Sequence, residues 1–396
     1  MAEVVLIHCT SYDDHEVERA IRRGIDLLGG VKRFAKKGER ILLKPNLLAA
    51  DPPEKCTTTH PAVFGAVCRI FKETGARVSY GDSPGRGSSV SVATQAGLHD
   101  VAVEEGIPLD DFQTVVEVSH KEGRQNKKFS LAKAVVDADG VISLPKFKSH
   151  ALEKITGGVK NQFGCVPGFF KAEFHAKLTN AFEFGRMLVD LTNLVHPRLY
   201  ILDAVYAMEG NGPRSGNPRK MNLLLLSDDP VAIDATACRL IDVDPELIPT
   251  IVYGQEFGCG TYLEEKIQLS GDPFREFVCP DFDIDRGPID RYVSGSGSKL
   301  AVVLLAVIKT RAGARLFDNL LISKPEIDAS KCVKCGICIQ ICPTEPKSID
   351  WVNGDKSQPP RYDHNRCIRC FCCQETCPEG AVFVKKPLLR KIFGKT

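Results

Sequence analysis

Nine of the sixteen cysteines fall between residues 332 and 377, in "CVKCGICIQICP" from Cys332 and "CIRCFCCQETCP" from Cys367. Each run has the spacing C-x2-C-x2-C-x3-C-P, with which thiolates hold a [4Fe–4S] cubane. Three cysteines two residues apart wrap one face of a cluster while backbone N–H groups point at its sulfides. The fourth, followed by proline, leaves the turn and reaches the other cluster. The spacing therefore predicts two clusters, one on Cys332, Cys335, Cys338 and Cys377, the other on Cys367, Cys370, Cys373 and Cys342. Zinc knuckles are the competing chemistry, but they usually pair C-x2-C units across a longer gap and lack the C-x3-C-P tail. Cys372 is either a non-ligating neighbour or a spare thiolate.

A second set of chemically capable residues follows a series of apolar runs. "ILLKPN" delivers Lys44 and Asn46, "RVSYGDSPGRG" delivers Asp82, and "VISLPKFKSH" delivers Lys146, Lys148 and His150. "YILDAVYAMEGNGPRSG" ends in Asp203, Glu209 and Asn211, and "LLLLSDDP" in Asp228 and Asp229. The stretch "KITGGVKNQFGCVPGFFKAEFH" then offers Gly157, Gly158, Lys160, Asn161, Gly164, Cys165, Gly168 and His175. Glycines there allow the backbone to approach something closely, and successive N–H groups in such a loop can form an anion nest. Lys160 is the expected cationic contact, with His150 and His175 moving a proton or ligating a metal. Asp229 before Pro230 reads either as a helix N-cap or as a ligand, Asp82 as a turn residue or a ligand, and Cys165 as a packing residue or a soft-metal ligand.

The elements that must position these residues alternate. Strands are expected over 4–9, 39–44, 76–80, 140–144, 199–203 and 222–227. Helices are expected over 13–28, 61–74, 177–195, 230–241 and 246–257. Near-continuous apolar strands separated by helices predict an α/β layered domain with a largely parallel sheet. Parallel strands bring their carboxyl ends to one edge, where such sheets bind ligands. "SGSGSK" at 294–299 marks a linker. The expected organisation is an α/β domain over 1–297, a linker and helix over 298–323, a small α+β two-cluster ferredoxin-like domain over 324–386, and a basic tail over 387–396. Within the ferredoxin-like part, Asn353-Gly354 reads as a hairpin turn.

Composition sets limits. With 396 residues, 43% hydrophobic and 26% charged, the chain can bury a large core, and a net charge of +2 does not steer it to nucleic acid. The start "MAEVVLIHCTSYDDHE" lacks the pattern of a secretory leader, and "LAVVLLAVI" at 300–308 is far short of the ~20 residues of a membrane span. A cytoplasmic location is expected, where clustered cysteines argue for metal ligation over disulfides. No Walker pattern and no dinucleotide-binding glycine fingerprint follows the first strand.

The segments "KPNLL", "THP", "GDSPG", "PKFKSH", "TGGVKNQFG", "DAVYAMEGNGP" and "DPVAIDA" together resemble the prokaryotic family called domain of unknown function 362, over about residues 4–260. The resemblance implies an iron–sulfur protein, often with a ferredoxin tail, and no common reaction. Residues 324–386 resemble bacterial two-cluster ferredoxins, departing from them where "CPTEPKSIDWV" replaces a small-residue turn and "NGDKSQPPRY" lengthens the connection. A looser local resemblance is to nickel-pincer lactate racemases. Their Gly-Gly-x-Lys loop is similar to Gly157-Gly158-Val159-Lys160 followed by Pro167-Gly168, with His150 and His175 in suitable order; this chain adds residues between the lysine and Pro-Gly.

The expectation is a cytoplasmic iron–sulfur redox protein of anaerobic type. Two [4Fe–4S] clusters would pass electrons to a site in the large domain that holds an anionic ligand, an additional anionic cofactor or a metal. Lys44, Asn46, Asp82, Lys146, Lys148, Gly157, Gly158 and Asn161 are its expected binding residues, and a redox partner protein is expected. The alternatives are a non-catalytic electron-transfer adaptor that docks a partner enzyme, and a metal-cofactor enzyme whose clusters maintain the cofactor's redox state.

Overall fold

Apolar side chains alternate along the strands in a way that fills both faces of one sheet. Val4 and Leu6 face one core layer while Val5 and Ile7 face the other; Leu223 and Leu225 are likewise separated from Leu224 and Leu226. A sheet apolar on both faces must be covered on both. Helices Asp14–Leu27, Pro61–Lys72 and Leu98–Glu105 supply residues to one layer, and Ala181–Val195, Pro230–Leu240 and Pro249–Glu256 to the other. The computed structural model describes residues 1–178, 180–287 and 323–386. It divides into two compact units, Met1–Ile284 and Asp285–Thr396. The expected linker at 294–299, the helix after it and the basic tail 387–396 lie outside the described residues.

In the first unit the strands are β1 (Ala2–His8), β2 (Arg40–Pro45), β3 (Arg77–Tyr80), β4 (Val115–Ser119), β5 (Lys128–Ala132), β6 (Gly140–Leu144), β7 (Lys146–His150), β8 (Lys154–Thr156), β9 (Leu199–Glu209), β10 (Asn217–Ser227) and β11 (Ile267–Gly271). The large sheet runs β11-β1-β10-β9-β6-β2-β3, with β7 paired to β9 and β8 to β7. Pairings β1·β11, β2·β3, β2·β6, β6·β9 and β7·β9 are parallel; β1·β10, β9·β10 and β7·β8 are antiparallel. The sheet is thus mostly parallel, as expected.

Local chemistry explains the helix starts. His60 Nδ1 accepts the Ala62 N–H before a helix with Pro61 in its first turn, and Asp229 caps Pro230–Leu240 by accepting from Val231 and Ala232. Asp229 is therefore the cap of the two readings. Two expectations shift. The helix expected from 177 starts at Ala181, because Asn180 caps it and a separate helix, Gly168–Lys177, precedes it. The helix expected from 246 starts at Pro249 after a short 3-10 turn at Pro245–Leu247. The strand expected over 140–144 is β6; a further strand, β7, follows Pro145, and both pair with β9. The β4–β5 hairpin, with its half-exposed strand "VVEVS", and the edge strand β11 were not expected.

The second unit carries β12 (Lys324–Ile327) antiparallel to β15 (Val382–Lys385), and β13 (Ile349–Asp350) antiparallel to β14 (Arg361–Tyr362). Asn353 and Gly354 both take positive φ in the connection from β13 to β14. Short helices Ile337–Ile341 and Cys372–Thr376 close the two cysteine loops. No helix among the described residues is long and apolar enough to cross a membrane.

Candidate functional site

The strand-end residues do meet, largely as partners of one another. Lys44, next to last in strand β2, is fully buried; its Nζ donates to Asp82 Oδ1 at 2.9 Å and to the Pro45 carbonyl at 3.2 Å. Asp82, just beyond β3, also accepts the N–H of Leu47 (2.7 Å) and Ser83 (2.9 Å). The β7·β9 register sets Lys146 opposite Asp203. Lys146 Nζ donates to Asp203 Oδ2 at 2.9 Å and to Tyr12 OH at 2.7 Å, and Tyr12 OH donates to Asp203 Oδ1 at 2.8 Å. The His60 N–H completes the set on Asp203 Oδ2 at 3.0 Å, and its ring stacks on Tyr12 at 3.5 Å. Burial pushes the His60 imidazole down to about 4, so the ring is neutral at pH 7.

Amide side chains link Lys148 to the backbone at Lys44. Lys148 Nζ donates to Asn46 Oδ1 (2.9 Å) and the Thr57 carbonyl (2.6 Å); Asn46 Nδ2 donates to Asn161 Oδ1 (3.1 Å). Asn161 Nδ2 in turn reaches the Lys44 carbonyl (3.2 Å) and Ser143 Oγ (3.0 Å). Lys44, Asn46, Asp82, Lys148 and Asn161 are thus joined in one network, and Lys146, two residues before Lys148 on β7, pairs separately with Asp203.

The glycine loop approaches carboxylates of the protein itself. A Cβ on Gly157 would lie 2.0 Å from Asp234 Oδ1, and one on Gly164 would lie 1.7 Å from Asp82 Oδ1 and 2.7 Å from Lys44 Nζ. Asp234 accepts the N–H of Gly158 at 2.6 Å and of Val159 at 3.2 Å, so those donors of the nest are taken by a carboxyl of the protein itself, which burial pushes up to about 7 against the pull of the two N–H groups. Gly158 packs on Tyr200, whereas Gly168 faces open space.

What remains unmatched lies at Lys160. Its ammonium has no hydrogen-bond or ion-pair partner among the described residues, and it pulls electrostatically on Glu153. Glu153 is fully buried, and neither carboxylate oxygen has a partner there. Burial pushes its carboxyl up to about 8, with Lys160 acting the other way. His150 Nδ1 accepts the N–H of Leu152 (3.0 Å) and of Glu153 (3.1 Å), which puts the imidazole proton on Nε2. His175 stacks on Phe184 at 4.5 Å and meets Phe163 edge-on at 5.6 Å. The Cys165 thiol is buried and pushed up to about 12 by that burial, consistent with packing. Tyr12, Glu153 and Asp234 were not singled out from the sequence by themselves. Asp234 could have been found from its place five residues after Asp229, on the helix that faces the loop.

The cysteine loops are built alike. Lys334 and Gly336 flank Cys335 with left-handed φ, and Arg369 and Phe371 flank Cys370 in the same way. Paired residues of this kind curl the backbone and turn its N–H groups inward. Cys332, Cys335, Cys338 and Cys377 line one hollow with Ile337, Pro360 and Pro378. Four cysteines on one hollow suit a cubane, which takes one cysteine at each iron. In the other set, Cys367 lies within electrostatic reach of Cys370 and Cys342, and Cys373 of Cys370 and Cys367 as well as of Cys338 in the first set. The cysteines present fit iron–sulfur ligation, which would supply one-electron chemistry.

A family model described as "domain of unknown function (DUF362)" matches residues 41–239, half of the chain. The chain belongs to the DUF362 family. A second model, a 4Fe-4S dicluster domain, matches residues 324–378, so the C-terminal unit carries a ferredoxin-type iron–sulfur domain. A thylakoid-associated protein of Synechocystis sp. is 39% identical over 256 residues, 64% of this chain and 79% of that protein. Among solved structures, the lactate racemase apoprotein from Thermoanaerobacterium thermosaccharolyticum is similar at 14% identity and a TM-score of 0.37, over 60% of this chain and 56% of that one. A Thermotoga maritima structural-genomics protein is similar at 12% identity and a TM-score of 0.37, over 59% of this chain and 60% of that one. The segments that carry the DUF362 likeness are each other's partners: "KPNLL" meets "GDSPG" through Lys44 and Asp82, "PKFKSH" meets "DAVYAMEGNGP" through Lys146 and Asp203, and "TGGVKNQFG" meets "DPVAIDA" through Gly158 and Asp234.

Proposed function

We propose that this chain is a cytoplasmic iron–sulfur redox protein of anaerobic type. Two [4Fe–4S] clusters in the C-terminal unit exchange electrons singly with a site in the DUF362 domain, where an anionic ligand or cofactor is held beside Lys160. The observation that carries the redox part is the repeated cysteine loop, with the same left-handed pair around Cys335 and Cys370. The ligand part is supported by Lys160, which has no ion-pair partner among the described residues while Lys44 and Lys146 are each paired with a carboxylate, and by Glu153, whose buried carboxyl oxygens have no hydrogen-bond partner there. An anionic group would answer Lys160, and a hydrogen-bond acceptor would answer the proton that burial keeps on Glu153. The test is anaerobic purification with iron, acid-labile sulfide and small-molecule mass analysis, on the wild type and on Lys160→Ala. A zinc-rich, iron-poor protein would sink the redox reading. A small molecule retained equally by both proteins would sink the assignment to Lys160.

The second reading is an electron-transfer adaptor that docks a partner enzyme. The pairs Lys44–Asp82 and Lys146–Asp203 favour it, because they satisfy most of the edge without any ligand. Stable co-purification of a partner with no bound small molecule would select it.

A further inference from the structure

The two cysteine sets share a backbone design and differ in what reaches their sulfurs. Tyr362 OH donates to Cys373 Sγ at 3.2 Å. Thr344 Oγ1 and Ser348 Oγ each lie 3.2 Å from Cys342 Sγ. Both cysteines belong to the set Cys342, Cys367, Cys370 and Cys373. Among the described residues, no side-chain hydroxyl bonds to Cys332, Cys335, Cys338 or Cys377. A thiolate that ligates iron carries no proton, so each of these hydroxyls must act as the donor.

The donors come from the two places where the chain departs from the ferredoxin pattern. "CPTEPKSIDWV" supplies Thr344 and Ser348, and the lengthened connection ends in Tyr362. Strand β13 begins at Ile349, directly after Ser348, and Ile349 pairs with Tyr362 of β14. One two-stranded ribbon therefore holds Tyr362 and the segment leading from Ser348. The Ser348 N–H donates to Thr344 Oγ1 at 2.8 Å, which fixes Thr344 relative to it.

Reduction of a cluster adds one negative charge that is shared with its sulfurs. A donor aimed at a ligand sulfur stabilises the reduced form more than the oxidised form, and so raises the potential. Solvent acts in the opposite sense to this comparison, since Cys335 is exposed while Cys342 and Cys373 are buried. Donors already oriented in a drier setting need no reorganisation when the electron arrives and are less screened than water dipoles. The three hydroxyls are thus set against a first set in which Cys335 is exposed and no cysteine is buried.

We infer that the cluster on Cys342, Cys367, Cys370 and Cys373 has the higher reduction potential, and that an electron entering the module comes to rest there. Tyr362, Ser348 and Thr344 are positioning residues that set the gap. The step is the transfer of one electron from the reduced first cluster to the oxidised second, with no proton moved; a one-electron donor protein, or dithionite in the test, supplies it. The inference rests on the two-cluster reading proposed above.

The experiment is an anaerobic redox titration of the full-length holoprotein, followed by electron paramagnetic resonance, with iron and sulfide assayed on the same samples. The expected result is two one-electron waves. Tyr362→Phe and Ser348→Ala each lower the upper wave and leave the lower one in place. A tenfold loss in the internal electron-transfer equilibrium would read as ~59 mV. Wild-type protein with iron for only one cluster overturns the underlying two-cluster reading. Two clusters with coincident waves, a shift in the lower wave, or an unmoved upper wave in iron-replete variants overturns the inference alone. If Tyr362→Phe loses iron, Ser348→Ala decides by the same criteria.

Discussion

Asp234 Oδ1 accepts the Gly158 N–H at 2.6 Å, so the glycine loop closes on a carboxylate from the helix Pro230–Leu240. The close approach is what makes Gly157 necessary. Its φ of −155° is not left-handed, but its ψ of −149° lies outside the ordinary extended range. The decisive constraint is steric, since a Cβ would lie 2.0 Å from Asp234 Oδ1. Gly157→Ala should destabilise the large domain by ~2–4 kcal/mol, through overpacking and loss of the Asp234 hydrogen bonds. Chemical denaturation of the single and double variants checks it. In an Asp234→Ala background the same change should cost much less, and additive effects would contradict the proposed contact.

Lys44 and Asp82 form a buried ion pair in which neither side chain reaches water. Removing one partner strands the other's charge, at a cost of ~3–5 kcal/mol. Lys44→Met and Asp82→Asn should each lower the denaturation midpoint strongly. The double variant should be no worse than the poorer single one. Two independent, additive losses would show that the pair does not act as a unit.

Glu153 provides a pH test. Its carboxyl is raised from 4.5 to about 8 in the folded protein, by burial first. The folded state thus holds a proton that the unfolded chain releases near its ordinary value. The resulting stabilisation is fully present below about 4.5 and is lost as pH rises through about 8. Each unit of difference is worth ~1.4 kcal/mol at most. Glu153→Gln should therefore gain on the wild type as pH rises from 5 to 8.5, read as a widening difference in Tm. Parallel Tm profiles for the two proteins would rule this out.

The cluster ligands make a contrast between neighbours. Cys335→Ser should remove one cluster's worth of iron, about four of ~8 per chain. Cys372 is buried beside Cys370 and lies outside both spacing patterns. Cys372→Ser should keep the full iron content and the visible spectrum. Equal iron loss in the two variants would make Cys372 a ligand.

Whatever depends on near neighbours can be read along the chain. The cysteine loops were legible because C-x2-C-x2-C is a local geometry, and Gly336 marks the left-handed turn in the first repeat. The second repeat achieves the same turn with Phe371, which spacing predicts and residue type alone does not. The strands and helices were legible because apolar period and caps such as Asp229 act within a few residues. Which strand-end charges are matched was decided only by tertiary structure. Lys44 and Asp82 are 38 residues apart, Lys146 and Asp203 are 57 apart, and Gly158 and Asp234 are 76 apart. A sequence displays a lysine's charge but not its counter-charge, because the partner depends on strand order and register. Lys44, Lys146 and Lys160 look alike in the chain; the fold pairs the first two with carboxylates and leaves Lys160 beside a buried, unpartnered Glu153.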